Sequence, residues 1–362
     1  MSDRFGTVSP VTSPSEVGLL RLVAQRVAGP HEATPLDVVR RLTALQGQDF
    51  PGALTAVALR TAAGTREEVA AALDAGEIVR TWPMRGTLHL VAADDLGWMI
   101  GLLGPRVMAG ARLRRQQLGI TDEDIDRARA IGVEALRGGR RLRRAELLTA
   151  LADAGVDTAG QRGYHLLWYL AQTGALCLGP VDGGEQRFVL TDEWIPAPRR
   201  LDPDEAVHEL ADRFFRGHGP ATVKDLARWA GLRVTEARAG LASARDGLAR
   251  LEVDGVEHWL DPETPDRLAA CRAEARGVFL LPGFDEFVLG YGDRGAVLDP
   301  AHADRIVPGG NGMFRPTVVH EGRIVGTWGF TGRGAKRAVR ATPLTAWPAG
   351  VEQGIAAATL PA

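Results

Sequence analysis

The stretch Leu42-Thr-Ala-Leu-Gln-Gly-Gln-Asp-Phe-Pro-Gly-Ala-Leu-Thr-Ala-Val-Ala-Leu-Arg60 sets two neutral amides, Gln46 and Gln48, where a helix is expected to break. Upstream, Leu36, Val38, Val39, Leu42 and Leu45 follow the i, i+3, i+4 spacing of a helix with one buried face, and Gln46 falls on that face. Thr34 can cap this helix and Pro35 suits its first position, so the spacing predicts a helix over 35–46. Were it to continue, Gln46 and Gln48 would point about 200° apart and could not act on one atom. Gly47 can take the left-handed conformation that ends a helix, and Pro51 disfavours continuation through Phe50. The amides can then converge in one crevice. A buried amide left unpaired costs roughly 1–3 kcal/mol, so a second reading stands beside the first: the glutamines bond nearby loop carbonyls.

The composition bounds what such a crevice can serve. At 362 residues, with 45% hydrophobic and 24% charged residues, the chain is a globular protein of two or more expected domains. The formal net charge of −2 gives no bulk basicity, so any surface for a polyanion must be local. Lys224 and Lys336 are the only lysines; the positive charge is almost wholly arginine, which suits bidentate phosphate contacts and also follows from codon bias. Cys177 and Cys271 have no His or Cys at ligand spacing, so neither a disulfide scaffold nor a structural zinc is expected. The eight histidines show no HxH or HExxH spacing, and no Gly-rich loop matches a phosphate-binding fingerprint. No metal, cofactor or nucleotide is therefore expected. Neither a signal-length nor a membrane-length apolar run is present, which predicts a cytoplasmic, nucleoid-associated protein.

Read in order, the chain repeats a pattern of helices followed by a β-hairpin, as in a winged helix. After a loose tail (1–15) come helices over 17–28, 35–46, 53–60 and 66–75, then two extended segments to Val91. Helices over 125–137, 144–154 and 164–173 precede strands at Leu176 and 188–190, and helices over 205–215, 223–229 and 236–248 precede a hairpin around Asp254-Gly255. The phrases ELLTALADAG and DLARWAGL occupy equivalent places, each a short helix ending in glycine. The expected class is α+β: winged-helix units over 16–118, 119–198 and 199–265, then a small β domain over 266–362. In that last domain short β-branched or aromatic runs at 277–282, 287–290, 317–320 and 323–328 surround a Glu321-Gly322 turn.

Three arginine-bearing segments could face a polyanion such as DNA. In Arg80-Thr-Trp-Pro-Met-Arg-Gly-Thr-Leu-His-Leu-Val91, alternation puts Arg85, Thr87 and His89 on one face, while Pro83 marks an edge or turn. A solvated wing with a structural histidine fits that pattern too. Gly139-Arg-Arg-Leu-Arg-Arg-Ala-Glu146 gathers Arg141, Arg143 and Arg144 at a helix start, where cations are disfavoured unless an anion or a salt-bridging face offsets them. Arg112 and Arg115 precede Gly119 near an expected helix C-terminus, where cations are favourable anyway. Asp285 and Glu286 sit adjacent in an expected strand and cannot flank one bond, so salt bridges to Arg294 or Arg315 are expected instead.

Four blocks in order, LQGQDFPGALTAVALR, TWPMRGTLHLV, LLPGFDEFVLGYGDR and FRPTVVHEGRIVGTW, span about residues 42–328, and together they resemble the AlkZ/YcaQ family of bacterial winged-helix DNA glycosylases. In that family a Gln-x-Gln or Gln-x-Asp motif is catalytic, and Gln46 and Gln48 match the first form. Gly47 departs from the bulkier apolar residue usual between them. The resemblance implies a monofunctional DNA glycosylase, expected to be a monomer, acting on double-stranded DNA that carries cationic N7-alkylated purines, including bulky adducts or interstrand crosslinks. It implies Gln46 and Gln48 at the reaction centre, with Asp49 as base or orienter. The alternative is a non-catalytic winged-helix DNA-binding protein, a regulator or lesion sensor.

Overall fold

The computed structural model describes residues 13–332 and 338–361. Residues 1–12 of the expected tail lie outside the described residues, and Pro14 already opens the first helix. The chain divides into two compact units, residues 1–68 with 207–362 and residues 69–206. Each mixes helices with small antiparallel sheets, the expected α+β class.

In the first unit, the Ser13 hydroxyl caps helix Pro14–Ala24, which is buried along most of its length and packs on helix Thr264–Ala275. Thr34 caps helix Pro35–Leu42, with Pro35 in its first turn as the sequence predicts. Helix Val223–Ala230 carries a reciprocal Thr222–Asp225 capping box and stops at Gly231 in the left-handed conformation. Strands Ala249–Val253 and Val256–Leu260 form a hairpin whose turn, Asp254-Gly255, has φ of 49° and 74°. Four antiparallel strands follow in the spatial order 338–343, 323–331, 317–320, 278–281. Their core holds Leu22, Val23, Leu268, Leu281, Phe287 and Val319, and each side chain of this size contributes about 1.5–3 kcal/mol when fully buried.

The second unit builds an antiparallel sheet in the order 87–92, 78–84, 176–182, 185–190, covered by helices Leu96–Gly110, Asp122–Leu136, Arg144–Asp153 and Arg162–Gln172. Trp82, Leu136, Leu147, Leu166, Leu170 and Phe188 fill its core. Pro83 lies where the pairing slips between Thr81 and Met84, a bulge that accommodates its missing N–H.

Two expectations fail on local structure. Helix 35–46 stops at Leu42. The segment expected as strand 287–290 is the short helix Glu286–Leu289, because Asp285 accepts the Phe287 N–H at 3.0 Å and caps a turn. Among the described residues no helix is long and apolar enough to cross a membrane, and no cluster of His, Cys, Asp and Glu is arranged to hold a metal. Both cysteines are free, and burial pushes the Cys177 thiol up to about 12.

Candidate active site

The helix before the glutamine motif is broken by Thr43, four residues ahead of the expected glycine. Thr43 adopts φ 66° and ψ −46°, and Ala44 N–H bonds Leu42 C=O at 2.7 Å. This is the positive-φ γ-turn, a rare and strained geometry, here on a β-branched residue that normally avoids it. Gly47 is not among the residues with positive φ. The turn re-aims the chain into a two-residue strand, Leu45–Gln46, before helix Phe50–Ala58 begins. Gln46 is 7% exposed, whereas Gln48 and Asp49 face solvent. Of the two amides, one is therefore built into the protein and the other is presented from it.

A buried carboxylate holds the motif in place. Glu286, 1% exposed, accepts the Gln46 backbone N–H on Oε1 at 3.1 Å. On Oε2 it accepts the Trp229 indole N–H at 2.9 Å and lies 3.3 Å from His218 Nε2. A buried ionised group persists only when so satisfied. Its neighbour Asp285 takes a bidentate grip from Arg60, the last residue of the motif block, at 2.9 and 2.8 Å, with both side chains fully buried. Arg60 completes its donors on Gln25 C=O, Ala56 C=O and Gln25 Oε1. Gln25 in turn donates to Tyr291, whose hydroxyl donates to His218 C=O at 2.6 Å. Phe284, just before the two acids, also has positive φ, 60°. Backbone strain thus stands at both partners of the contact, three residues before Gln46 and immediately before the acids that hold it.

These partners correct the sequence reading, which paired Asp285 and Glu286 with Arg294 or Arg315. Arg294 instead donates from Nε to Val288 C=O. Acids embedded in the apolar run Phe284–Leu289 are the signal that could have been read: each had to have a buried partner. Nothing local says that the partners are Arg60 and the Gln46 backbone, 225 and 240 residues away.

Asp49 occupies the N-cap position of helix Phe50–Ala58 without a side-chain cap bond. Its carboxylate lies over Gly52, where an added Cβ would come 2.5 Å from Oδ2.

In the second unit the arginine segments separate into paired and unpaired groups. Arg80 donates to Gln186 at 2.7 Å. Arg85 is in the hairpin turn with φ 54°, not on a strand face. His89 is fully buried, with Nδ1 2.8 Å from Thr87 C=O and Nε2 3.0 Å from Arg85 Nη2. A carbonyl only accepts, so Nδ1 carries the proton and the neutral Nε2 accepts from Arg85. Leu88 and Leu90 are buried as well, so the expected alternation of a solvent face and an apolar face is absent in this strand. Arg115 pairs with Asp122 at 2.6 Å, and Arg143 pairs with Glu146 at 2.6 Å. Arg112, Arg141 and Arg144 are exposed and form no ion pair among the described residues; Arg141 lies over Trp194 and Arg144 over Tyr164.

Comparison with known proteins sets this site in a family. An interstrand DNA cross-link repair glycosylase of Streptomyces sahachiroi is 33% identical to this chain over 306 residues, covering 81% of each. The solved structure of the Streptomyces sahachiroi DNA glycosylase AlkZ is similar with a TM-score of 0.77 and 28% identity, over 96% of this chain and 95% of that one. The family model for AlkZ-like DNA glycosylases matches residues 39–360, a span that takes in both the glutamine motif and the acids that hold it. The chain belongs to the AlkZ-like DNA glycosylase family.

Proposed function

We propose that this glycosylase hydrolyses the N-glycosidic bond of cationic N7-alkylated purines in double-stranded DNA, including bulky adducts and interstrand crosslinks, with Gln46 and Gln48 at the reaction centre. The supporting observation is the buried Glu286 carboxylate that fixes the Gln46 backbone while Gln48 stays exposed two residues on. We read the chain as winged-helix units over 16–118, 119–198 and 199–265 with a β-rich region over 266–362, working as a cytoplasmic monomer without cofactor. Arg112, Arg141 and Arg144 are the better candidates for phosphate contact, and Arg80, Arg85, His89, Arg115 and Arg143 the weaker ones because each already has a protein partner.

An N7-alkylated purine is already cationic, so no strong acid is needed to protonate the leaving group. Water oxygen bonds to C1′ as the C1′–N9 bond breaks; the released electron pair neutralises the purine cation and the water proton passes to solvent. Positioned amide oxygens hold the water and face the developing positive charge on the sugar. A glutamine is no general base, so neutral lesions should react poorly.

Single-turnover release of N7-methylguanine from duplex DNA tests this. Gln48→Ala should keep DNA affinity while base release slows by about tenfold to a hundredfold, below the roughly 10²- to 10³-fold loss of a preorganised donor in a closed site. Release at the wild-type rate would remove the motif from the chemistry. A mobility shift without any release by the unaltered protein would return the chain to a binding role.

A further inference from the structure

Asp49 also lines a cavity that the scheme above leaves unused. The cavity holds about 280 Å³ and is walled by Pro51, Pro282, Trp328 and Phe330, with Asp49 and Arg66 as its ionisable groups. That volume is close to the lower end of the roughly 300–1,000 Å³ typical of small-molecule sites, the size class of a single bicyclic ring system.

Its two ionisable groups form no ion pair among the described residues. Asp49 makes no cap bond and no ion pair among the described residues, although a carboxylate at an N-cap ordinarily bonds the helix backbone. Arg66 likewise has no ion pair there, and its Nε is buried without a partner. An acid and a guanidinium thus share one cavity without pairing to each other. Trp328 is fixed beside them by its indole N–H bond to Leu281 C=O at 2.8 Å and by edge contact with Phe330 at 5.3 Å.

We propose that this cavity receives the guanine base of the alkylated nucleotide, with Asp49 and Arg66 reading its hydrogen-bonding edge. A carboxylate only accepts, and guanine presents N1–H and N2–H side by side, two donors for two carboxylate oxygens. Its O6 is the acceptor next to them, matched by the Arg66 guanidinium. Adenine offers an amino group beside a bare acceptor nitrogen, so it cannot fill both oxygens of Asp49. The aromatic rings suit a cationic base, which gains from contact with a π-face. The inference rests on the catalytic assignment of Gln48, the residue next to Asp49 in the chain, with its Cα about 3.8 Å from that of Asp49.

Calorimetry of the full chain with free 7-methylguanine and 7-methylhypoxanthine, which lacks only the 2-amino group, tests the cavity separately from the chemistry. Wild type and Gln48→Ala should bind 7-methylguanine equally. The hypoxanthine should bind at least tenfold more weakly, and Asp49→Ala and Arg66→Ala should each weaken 7-methylguanine at least tenfold. Equal binding of the two bases, equal binding by Asp49→Ala and wild type, or no binding to wild type at millimolar base would overturn the proposal. Should Gln48→Ala excise normally while Asp49→Ala loses the free base, the catalytic pair falls and the cavity stands.

Discussion

Replacing Glu286 by glutamine separates holding the motif from merely stabilising the unit. The carboxylate accepts on both oxygens, from Gln46 N–H at 3.1 Å and from Trp229 at 2.9 Å, with His218 at 3.3 Å. A glutamine keeps the shape but has one oxygen. If its amide nitrogen faces Gln46, two donors oppose each other at the motif; if it faces Trp229 and His218, the conflict moves there. Either orientation leaves a buried donor unsatisfied, which costs about 1–3 kcal/mol and should lower Tm by roughly 2–10 °C. Because a displacement of about 1 Å near a reacting centre can slow a reaction about 10²-fold, base release by Glu286→Gln should fall by about tenfold to a hundredfold. The assay is single-turnover release at saturating enzyme, well below the lowered Tm, with DNA affinity measured in parallel and expected to hold within about twofold. Asp285→Asn is the control for stability. It breaks the fully buried pair with Arg60, a change worth about 3–5 kcal/mol, so it should melt lower than Glu286→Gln yet release base faster. If Glu286→Gln melts lower but releases base at the wild-type rate, Glu286 only stabilises, and the argument from the Gln46 contact is refuted.

Other perturbations reach the second unit and the histidines. Arg141→Ala with Arg144→Ala should flatten the salt dependence of DNA binding by about 0.9 per lost phosphate contact, whereas Arg143→Ala, already paired with Glu146, should change it less; an unchanged slope in the double variant would take the cluster off the DNA. Burial holds the His258 imidazole below its ordinary value of 6.5, with Arg21 acting in the same direction against the bond to Val256 C=O. A depressed folded value means that the stability gained from the neutral ring is full above about pH 6.5 and is lost as the pH falls through the lower folded value. Melts of wild type from pH 8 to pH 5 should therefore decline more steeply than those of His258→Gln, and parallel curves would count against this assignment.

Much of the local structure was legible because its causes lie within a few residues. Thr34 and Pro35 start a helix, Thr222 and Asp225 close a capping box, and Asp254-Gly255 and Glu321-Gly322 turn hairpins, each through bonds or φ preferences that the adjacent residues carry themselves. The glutamine motif was legible as a break in a periodic pattern and by its resemblance to a family. Where the helix breaks was not: Thr43 takes a conformation its own side chain disfavours, so only the surrounding packing can impose it. In sequence His89 fits both a polar face and a structural histidine; the Thr87 carbonyl and Arg85 satisfy both its nitrogens, which lets the ring be buried. The sequence by itself determined that Asp285 and Glu286, set among apolar residues, must find buried partners. Only the tertiary structure decided that those partners are Arg60 and the backbone of Gln46, because a charge taken out of water can be satisfied by any donor the fold brings near, and sequence distance does not say which one that is.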